Sequence, residues 1–331
     1  MVLRCATHGC KPWTGTKVHI TNHRMGMINS HDEWSPLKRI VVGSATHANW
    51  PVNDPVFAKE SEKTTWKETP VPRGPVPQWI IDEANEDLDR LANTLIGLGV
   101  EVVRPDPLNF QVHDGMYNYC PRDRLLVHGS TIINPAMMYP CRDMELQCYH
   151  DIVDEAEHYL FMPRNEGLVL DAANILRLGP NKLLYLESAS GNKAAYYWLL
   201  ANLPSNTTIE LCNFYAGVHI DSTIMPLREG LVMLNASRVS FDTVPRVFDG
   251  WHKIWVNNVV AQEFHEYPYA SKWIAMNMLV VDPHTVICDR NQTQLIQTLK
   301  SYRFEVIPLE LRHSRTLGGG FHCVTLDLQR G

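Results

Sequence analysis

Apolar positions recur along the chain in one repeating order: a stretch with helical spacing, a short β-rich run, and then a pair of alternating strands. The clearest helix is predicted over residues 78–97, and its apolar side chains share one face: Ile81, Ala84, Leu88, Leu91 and Leu95. Four more helices are predicted over residues 142–157, 191–202, 245–252 and 292–302. The five helices lead in turn into apolar runs at 100–103, 159–161, 208–211, 254–256 and 304–307.

These helix-to-strand units repeat about every 50 to 60 residues, which is longer than common solenoid repeats but suits an α/β blade arranged around an axis. The apolar run 37–42 has no helix before it, and the run 324–328 has none after it. We therefore predict that these two runs complete one blade together. The pattern predicts a closed array of five units, and an ordinary two-domain α/β protein is the alternative that it leaves open.

An unusual polar residue stands where several of the predicted hairpins begin, and the set is Asp123, Asp171, His219, Asp221 and Cys323. Taken singly, such an aspartate is usually a turn or cap residue, and a lone histidine is usually structural. In a closed array the hairpin starts converge near the axis, so residues far apart in sequence would meet there. Together they would supply a nucleophile, a base and carboxylates.

Cys323 follows a triple glycine in residues 317–323 (LGGGFHC) and heads an apolar strand. We expect the glycines to leave the thiol open to close approach, and the strand to fix its position. The alternative is a buried core cysteine behind a glycine-rich turn.

The composition of the chain disfavours several classes of protein. The 331 residues are 45% hydrophobic and carry a net charge of −6, so the chain can bury a large core and has no basic face for nucleic acid. No apolar run is long enough to span a bilayer, and the N-terminus lacks the apolar stretch of a signal peptide. The eight cysteines form no CxxC pair, which suits a reducing compartment, and we predict a cytoplasmic protein that binds neither nucleic acid nor membrane.

The N-terminus carries Cys5, Cys10, His19 and His23, in the order of a small zinc finger. The gap between Cys10 and His19 is shorter than in such fingers and holds no aromatic and aliphatic pair for a mini-core, so we expect no metal. Residues 1–30 are predicted to be a disordered or non-native extension, and residues 31–331 a single domain.

Five strings carry a resemblance to a known family over nearly the whole chain, from about Glu33 to the C-terminus: 120–123 (CPRD), 171–174 (DAAN), 219–223 (HIDST), 271–277 (SKWIAMN) and 317–323 (LGGGFHC). In these strings the sequence resembles the amidinotransferase family, a branch of the guanidine-modifying pentein superfamily. The resemblance implies a five-bladed α/β propeller of pseudo-repeated ββαβ units.

The resemblance also implies roles for particular residues. Cys323, His219 and Asp171 would be catalytic. Asp123 and Asp221 would bind the guanidinium, and Arg238 and Ser271 would hold the donor's α-carboxylate. Val218 and Asn277 would complete the substrate-binding set. The thiol needs nearby positive charge to ionise, and a bound guanidinium and a protonated His219 are the candidates. No cofactor or metal is implied, the partners would be L-arginine and an amine acceptor, and a homodimer is what the family suggests.

Within the family, the sequence is most similar to inosamine-phosphate amidinotransferases and the related enzymes of toxin biosynthesis. Residues 216–218 (AGV) stand where arginine:glycine enzymes carry Asn-Pro-Met, in a segment that touches the acceptor. This difference disfavours glycine as the acceptor and favours an aminocyclitol phosphate or a longer amine such as lysine.

The expected activity is transfer of the amidino group of L-arginine, through a covalent amidino-cysteine, to a primary amine. Ornithine would be released, and the product would belong to toxin or antibiotic biosynthesis. Two alternatives stay open: a hydrolase of the arginine deiminase type, and a non-catalytic propeller that binds a guanidino compound.

Overall fold

The computed structural model describes residues 27–63, 70–215 and 217–331. The possible zinc ligands between Cys5 and His23 lie outside the described residues. Among the described residues, the side chain of Ile28 is buried in an apolar cluster, and the Asn29 amide donates to the Leu328 carbonyl at 2.8 Å. The folded part therefore begins before the predicted boundary at residue 31.

The strands of the described chain follow in this order: β1 Leu37–Val42, β2 Asn49–Trp50, β3 Gly74–Pro75, β4 Glu101–Val103, β5 Leu126–His128, β6 Thr131–Asn134, β7 His158–Phe161, β8 Ile175–Arg177, β9 Lys182–Leu186, β10 Thr208–Cys212, β11 Ile224–Arg228, β12 Leu231–Asn235, β13 His252–Val256, β14 Leu279–Asp282, β15 Thr285–Asp289, β16 Glu305–Leu309 and β17 Thr325–Arg330. The α-helices are α1 Pro55–Lys63, α2 Gln78–Gly97, α3 Pro121–Arg124, α4 His150–Asp154, α5 Lys193–Asn202, α6 Thr293–Ser301 and α7 Ser314–Leu317. Short 3-10 helices span Pro140–Tyr149, Arg164–Glu166, Ala172–Asn174, Arg246–Phe248 and Lys272–Met276.

Fifteen of these strands form five three-stranded sheets of one design, with orders β17-β1-β4, β5-β6-β7, β8-β9-β10, β11-β12-β13 and β14-β15-β16, and β2 pairs with β3 in a separate two-stranded sheet. In each sheet the middle strand pairs antiparallel with one neighbour and parallel with the other. A hairpin supplies the antiparallel pair within four of the sheets, and a longer crossover brings back the parallel strand. The result is a mixed α/β fold built from repeated units.

The first sheet joins the two ends of the described chain. β1 pairs antiparallel with β17, with Val42 opposite Thr325 and Ile40 opposite Asp327, and β4 lies parallel on the other side of β1. The prediction that runs 37–42 and 324–328 share one sheet is confirmed.

The helix predictions differ in outcome. α2 has the predicted bounds, and α5 and α6 lie inside the predicted stretches. The stretch 142–157 divides into the 3-10 helix Pro140–Tyr149 and α4. The helix predicted over 245–252 is wrong: only a 3-10 turn at Arg246–Phe248 forms, because Gly250 follows with a left-handed φ of 76° and turns the chain into β13.

The middle strands carry much of the core. Every residue of β12 and β15 is buried, as are the residues of β9 after Lys182. Within the described ranges no helix has both the length and the apolar character needed to cross a bilayer. The six cysteines of the described residues are free thiols.

Candidate active site

The candidate residues lie in the short segments that lead into β5, β8, β11 and β17. Asp123 lies in α3, just before β5, and Asp171 immediately precedes the 3-10 helix that leads into β8. His219 and Cys323 stand just before β11 and β17. Side-chain atoms of Asp123, His219 and Cys323 lie within 4.8 Å of one another, which confirms the prediction that these hairpin starts meet.

His219 is fixed by the turn that holds Asp171. Its ring Nε2 lies 2.9 Å from Asp171 Oδ2, and the other carboxylate oxygen of Asp171 accepts from the Met138 amide at 2.8 Å. The His219 backbone has a left-handed φ of 51°, and its amide donates to Asn174 Oδ1 at 3.2 Å. Such a conformation costs a non-glycine residue roughly 1 kcal/mol or more, so the surrounding contacts must hold it in place.

The charge of His219 is set by its acidic neighbours. Burial alone would lower the pKa of the imidazole, but the charge of Asp123 and the hydrogen bond and charge of Asp171 raise the pKa to about 9. His219 is therefore an imidazolium at neutral pH.

Asp123 presents one carboxylate oxygen to the site. Its Oδ2 accepts from Arg142 Nη1 at 2.8 Å, and Arg142 is itself held by Glu145 at 2.8 Å. Its Oδ1 is buried with no hydrogen-bond partner among the described residues, and it lies 3.6 Å from His219 Nδ1. Burial raises the pKa of Asp123, and a cation that reached this oxygen would oppose that rise through a charge-assisted hydrogen bond to the carboxylate.

Asp221 lies against the sulfur. Its Oδ2 accepts from Cys323 Sγ at 3.3 Å and from His322 Nδ1 at 2.7 Å. Burial opposes charge on this carboxyl, but the hydrogen bond and charge of His322, followed by the charge of His219, lower its pKa. Asp221 is thus a buried carboxylate.

The protein's own groups keep Cys323 protonated. Burial raises the pKa of the thiol well above its usual value, and the charges of Asp221 and Asp123 raise it further. Of the two candidates for activating the thiol, protonated His219 therefore does not suffice.

The triple glycine serves packing. Gly318 ends α7 with a left-handed φ of 82°. A Cβ on Gly319 would lie 2.4 Å from Cys120 Sγ, and one on Gly320 would lie 2.7 Å from Asn277 Cβ. The expectation that these glycines leave the thiol open is wrong, because neighbouring residues fill the space and Cys323 is only 2% exposed.

Arg238 and Ser271, the two predicted holders of the donor's α-carboxylate, contact each other. Arg238 donates to Ser222 Oγ at 3.2 Å, Thr223 Oγ1 at 2.8 Å and Ser271 Oγ at 3.1 Å, and its guanidinium stacks on the Tyr215 ring at 4.2 Å. Burial lowers the pKa of Arg238, which hydroxyl groups and an aromatic ring hold in place.

Known proteins resemble the chain over most of its length, although no protein-family model matches it. Inosamine-phosphate amidinotransferase 1 of Streptomyces griseus is 39% identical over 340 residues, and the alignment covers 92% of this chain and 98% of that protein. The chain belongs to the amidinotransferase family. It is therefore an enzyme of the transferase class.

Solved structures place this amidinotransferase among pentein-fold proteins. The inosamine-phosphate amidinotransferase StrB1 of Streptomyces griseus has a TM-score of 0.85 at 38% identity, covering 92% of this chain and 97% of that one. SxtG, an amidinotransferase of the saxitoxin biosynthetic pathway in Microseira wollei, has a TM-score of 0.82 at 26% identity, with the same two coverages of 92% and 97%.

The two remaining predicted residues of the amidinotransferase lie in different surroundings. Val218 is 38% exposed beside His219, and its carbonyl accepts from the Tyr215 hydroxyl at 3.3 Å. Asn277 is buried: its Oδ1 accepts from the Cys323 amide at 2.9 Å, and its Nδ2 donates to the Asp221 carbonyl at 3.3 Å. The contacts of Asn277 thus hold the protein's own segments together.

Sequence reasoning missed the residues that support the site of this amidinotransferase. These are Arg142 and Glu145, which hold Asp123, and His322 with Glu33, which hold Asp221. His322 lies in the string 317–323, but the resemblance assigns it no role. No sequence pattern around Glu33 could identify it as a site residue, because its partner His322 is 289 positions away.

Gly320→Ala should destabilise the enzyme, because the new Cβ would lie within 2.8 Å of the Asn277 side chain and carbonyl. Overpacking of this kind typically costs about 1–3 kcal/mol in the free energy of unfolding. Gly97→Ala is the matched control, because that position in α2 has no atom within 4 Å of the added Cβ. Urea denaturation of both variants measures the difference, and equal stability would contradict the packing role.

His219 should titrate near pH 9 by nitrogen NMR, and Asp171→Asn should lower that pKa by removing a hydrogen bond and a charge. Because the folded pKa exceeds the ordinary 6.5, the stabilisation from this proton is complete below about pH 6.5 and disappears as pH rises through about 9. Asp143→Asn, which removes the ion pair of exposed Asp143 with Arg164 and makes no contact with His219, should leave the titration unchanged. An unshifted midpoint in Asp171→Asn would show that Asp171 does not set this charge.

The Cys323 thiol should show no thiolate absorbance at neutral pH in the protein alone, because burial and two carboxylates raise its pKa. The measurement is the ultraviolet difference between wild type and Cys323→Ser across a pH titration. A thiolate step at or below neutral pH would contradict the assignment.

Proposed function

We propose that the protein is an arginine amidinotransferase that carries the amidino group on Cys323 and passes it to a primary amine, releasing ornithine. The observation that carries this proposal is the grouping of a sulfur, an imidazolium and a buried, unpartnered carboxylate oxygen within 4.8 Å. Such a grouping suits a flat cation whose central carbon a thiolate attacks.

The donor's guanidinium would lie between Asp123 and Asp221. Asp123 Oδ1 is available for a charge-assisted hydrogen bond, and Asp221 stands 3.3 Å from the sulfur. A cation at this position supplies the positive charge that His219 alone does not, and so lowers the pKa of the Cys323 thiol. Arg238 and Ser271 would bind the donor's α-carboxylate, in keeping with a half-buried guanidinium that donates to hydroxyl groups.

In the first half-reaction, the Cys323 thiol releases its proton to solvent as the guanidinium binds, and the thiolate then attacks the central guanidinium carbon to form a carbon–sulfur bond. His219, an imidazolium held by Asp171, gives its proton to the departing nitrogen as the carbon–nitrogen bond breaks. Ornithine leaves as a neutral amine at the point of cleavage, which avoids expulsion of an amide anion. The amidino group stays on sulfur as a planar cation.

In the second half-reaction, the acceptor amine attacks that carbon while neutral His219 takes its proton, and the carbon–sulfur bond breaks. One site is thus used twice, in a ping-pong cycle. Water must be excluded in between, and the near-complete burial of Cys323, Asp123 and Asp221 favours this exclusion.

The acceptor we propose is an aminocyclitol phosphate or a lysine-like amine, in toxin or antibiotic biosynthesis. The half-exposed Val218 borders His219, where an incoming amine must approach. Gly217 is required in this segment, because a Cβ there would lie 1.8 Å from the Tyr215 hydroxyl. The 39% identity to an inosamine-phosphate amidinotransferase supports the first class of acceptor.

We also propose that the five sheets close into a five-bladed α/β propeller. The pairing of β1 with β17, which unites the ends of the described chain in one sheet, supports closure. The convergence of hairpin starts from separate sheets at one site supports it as well. The free thiols of the described residues favour the reducing cytoplasm, and a homodimer is the assembly we propose.

Incubation with L-arginine and an acceptor amine should release ornithine, and mass spectrometry should find an amidino group on Cys323 when the acceptor is omitted. Cys323→Ser should lose both signals. Cys288→Ser, which removes a buried thiol in β15, should keep them. His219→Asn should lower turnover about 100-fold or more, since asparagine tolerates the left-handed backbone but cannot transfer the proton.

The products separate this proposal from its alternatives. Citrulline in place of ornithine would show a hydrolase of the deiminase type. Arginine binding with neither product nor adduct would show a guanidine-binding protein. A panel of amines that includes an aminocyclitol phosphate, lysine and glycine then identifies the acceptor, and turnover with glycine alone would overturn the proposed acceptor class.

A further inference from the structure

His322 lies directly behind the candidate nucleophile, with a carboxylate at each ring nitrogen. Its Nδ1 is 2.7 Å from Asp221 Oδ2, and its Nε2 is 3.1 Å from Glu33 Oε2. The residue is buried, so neither carboxylate contact is screened by water. A neutral imidazole donates from only one nitrogen, whereas an imidazolium donates from both, and only the charged form satisfies both carboxylates.

Glu33 is anchored so that it cannot turn away from His322. Its two oxygens accept from Arg177 at 2.6 and 3.0 Å, and Arg177 is buried and also bonded to Asp327 at 2.5 Å. Glu33 precedes β1 in the chain, whereas Arg177 ends β8, so distant segments fix this carboxylate. The position of His322 is therefore set from the side opposite the substrate.

Asp221 depends on His322 for its charge. The other groups that face Asp221 are the Cys323 thiol, the amide of Asn277 and the imidazolium of His219. His322 alone donates to its carboxylate at 2.7 Å as a cation. On its far side His322 faces Glu33 and feels the repulsive charge of Arg122, and despite burial the two carboxylates raise its pKa.

We propose that His322 is a positioning residue that holds Asp221 as a fixed anion beside Cys323, and that Glu33 keeps the imidazole of His322 charged for this purpose. The inference rests on the proposed function in one respect, the use of Asp221 to bind the donor's guanidinium. His322 touches neither donor nor acceptor, and it acts only through Asp221.

Without this cation, the buried Asp221 carboxyl would take up a proton at a higher pH. A protonated Asp221 attracts a guanidinium weakly, so arginine binding would fail at a pH where the wild-type site still binds. The expected signature is a shift in the acid limb of arginine binding, which is the pH range over which binding is lost on acidification. A merely structural role would not produce this shift.

The experiment measures the dissociation constant of L-arginine by calorimetry from acid to neutral pH, in a Cys323→Ser background that cannot react. His322→Asn retains a donor near the Nδ1 position and removes the charge. We expect about tenfold weaker binding at neutral pH and an acid limb about one pH unit higher, as loss of roughly 1.4 kcal/mol of interaction would give. His322→Gln provides the same test if His322→Asn does not fold.

Asp327→Asn is the matched control, because it disturbs neighbouring buried ion pairs, those with Arg122, Arg177 and Arg330, without touching Asp221. It should lower Tm and leave the acid limb in place. Nitrogen NMR of the otherwise unaltered protein should find His322 charged at neutral pH, and Glu33→Gln should lower its midpoint.

An unshifted acid limb in both His322 variants would overturn the proposal, and so would a neutral His322 at neutral pH in the unaltered protein. These results are separable from failure of the proposed function. If the wild-type enzyme formed citrulline from arginine, the function would be wrong while the arginine-binding test of His322 would still apply.

Discussion

The interaction on which the rest of the structure depends is the mutual neutralisation of charged side chains buried at its centre. Asp327 of β17 accepts from Arg122 of α3 at 2.6 Å, from Arg177 of β8 at 2.5 Å and from Arg330 at 2.7 Å. Glu33 adds a second carboxylate to Arg177. Each such ion loses several kcal/mol of hydration when buried, so leaving one unpaired would be costly. Correct pairing therefore requires α3, β8 and β17 to meet, and these same elements carry or adjoin the candidate active-site residues.

The same electrostatics account for the character of the site. Asp123, Asp171 and Asp221 lie around His219 and raise its pKa, and Asp221 and Asp123 also raise the pKa of the Cys323 thiol. The site thus favours an additional cation and disfavours a thiolate until that cation is bound. Under the proposed function, Cys323 would be ionised by its own substrate and would stay an unreactive thiol until that substrate binds.

The spacing of apolar residues correctly predicted those helices and strands that are determined by residues close together in the sequence. The helical spacing over 78–97 gave α2 with its observed bounds, and the unpaired apolar runs at the two ends of the chain gave the β1–β17 sheet. The helix predicted over 245–252 does not form because Gly250, with its left-handed φ, turns the chain into β13. The hairpin starts supplied the candidate site residues, but not the residues behind them. Arg142 and Glu33 are identifiable only once the fold brings their partners close, and the triple glycine required knowledge of what packs against it.

Under the proposed reaction, the site presents nearly the same electrostatic demand in both halves of the cycle. The guanidinium of the donor and the amidino group on sulfur are both planar cations, and both would lie between Asp123 and Asp221. Neither carboxylate has to lose its partner when ornithine leaves, so the intermediate is stabilised where the donor was. The group that changes charge is His219, which gives its proton to the leaving nitrogen and regains one from the acceptor. The acidic neighbours that raise the pKa of His219 to about 9 make it a weak acid and a correspondingly good base. As a base it can take the proton of the acceptor amine, which becomes acidic only as the amine attacks. The fixed carboxylates and the one proton that leaves and returns to His219 are therefore sufficient for both half-reactions.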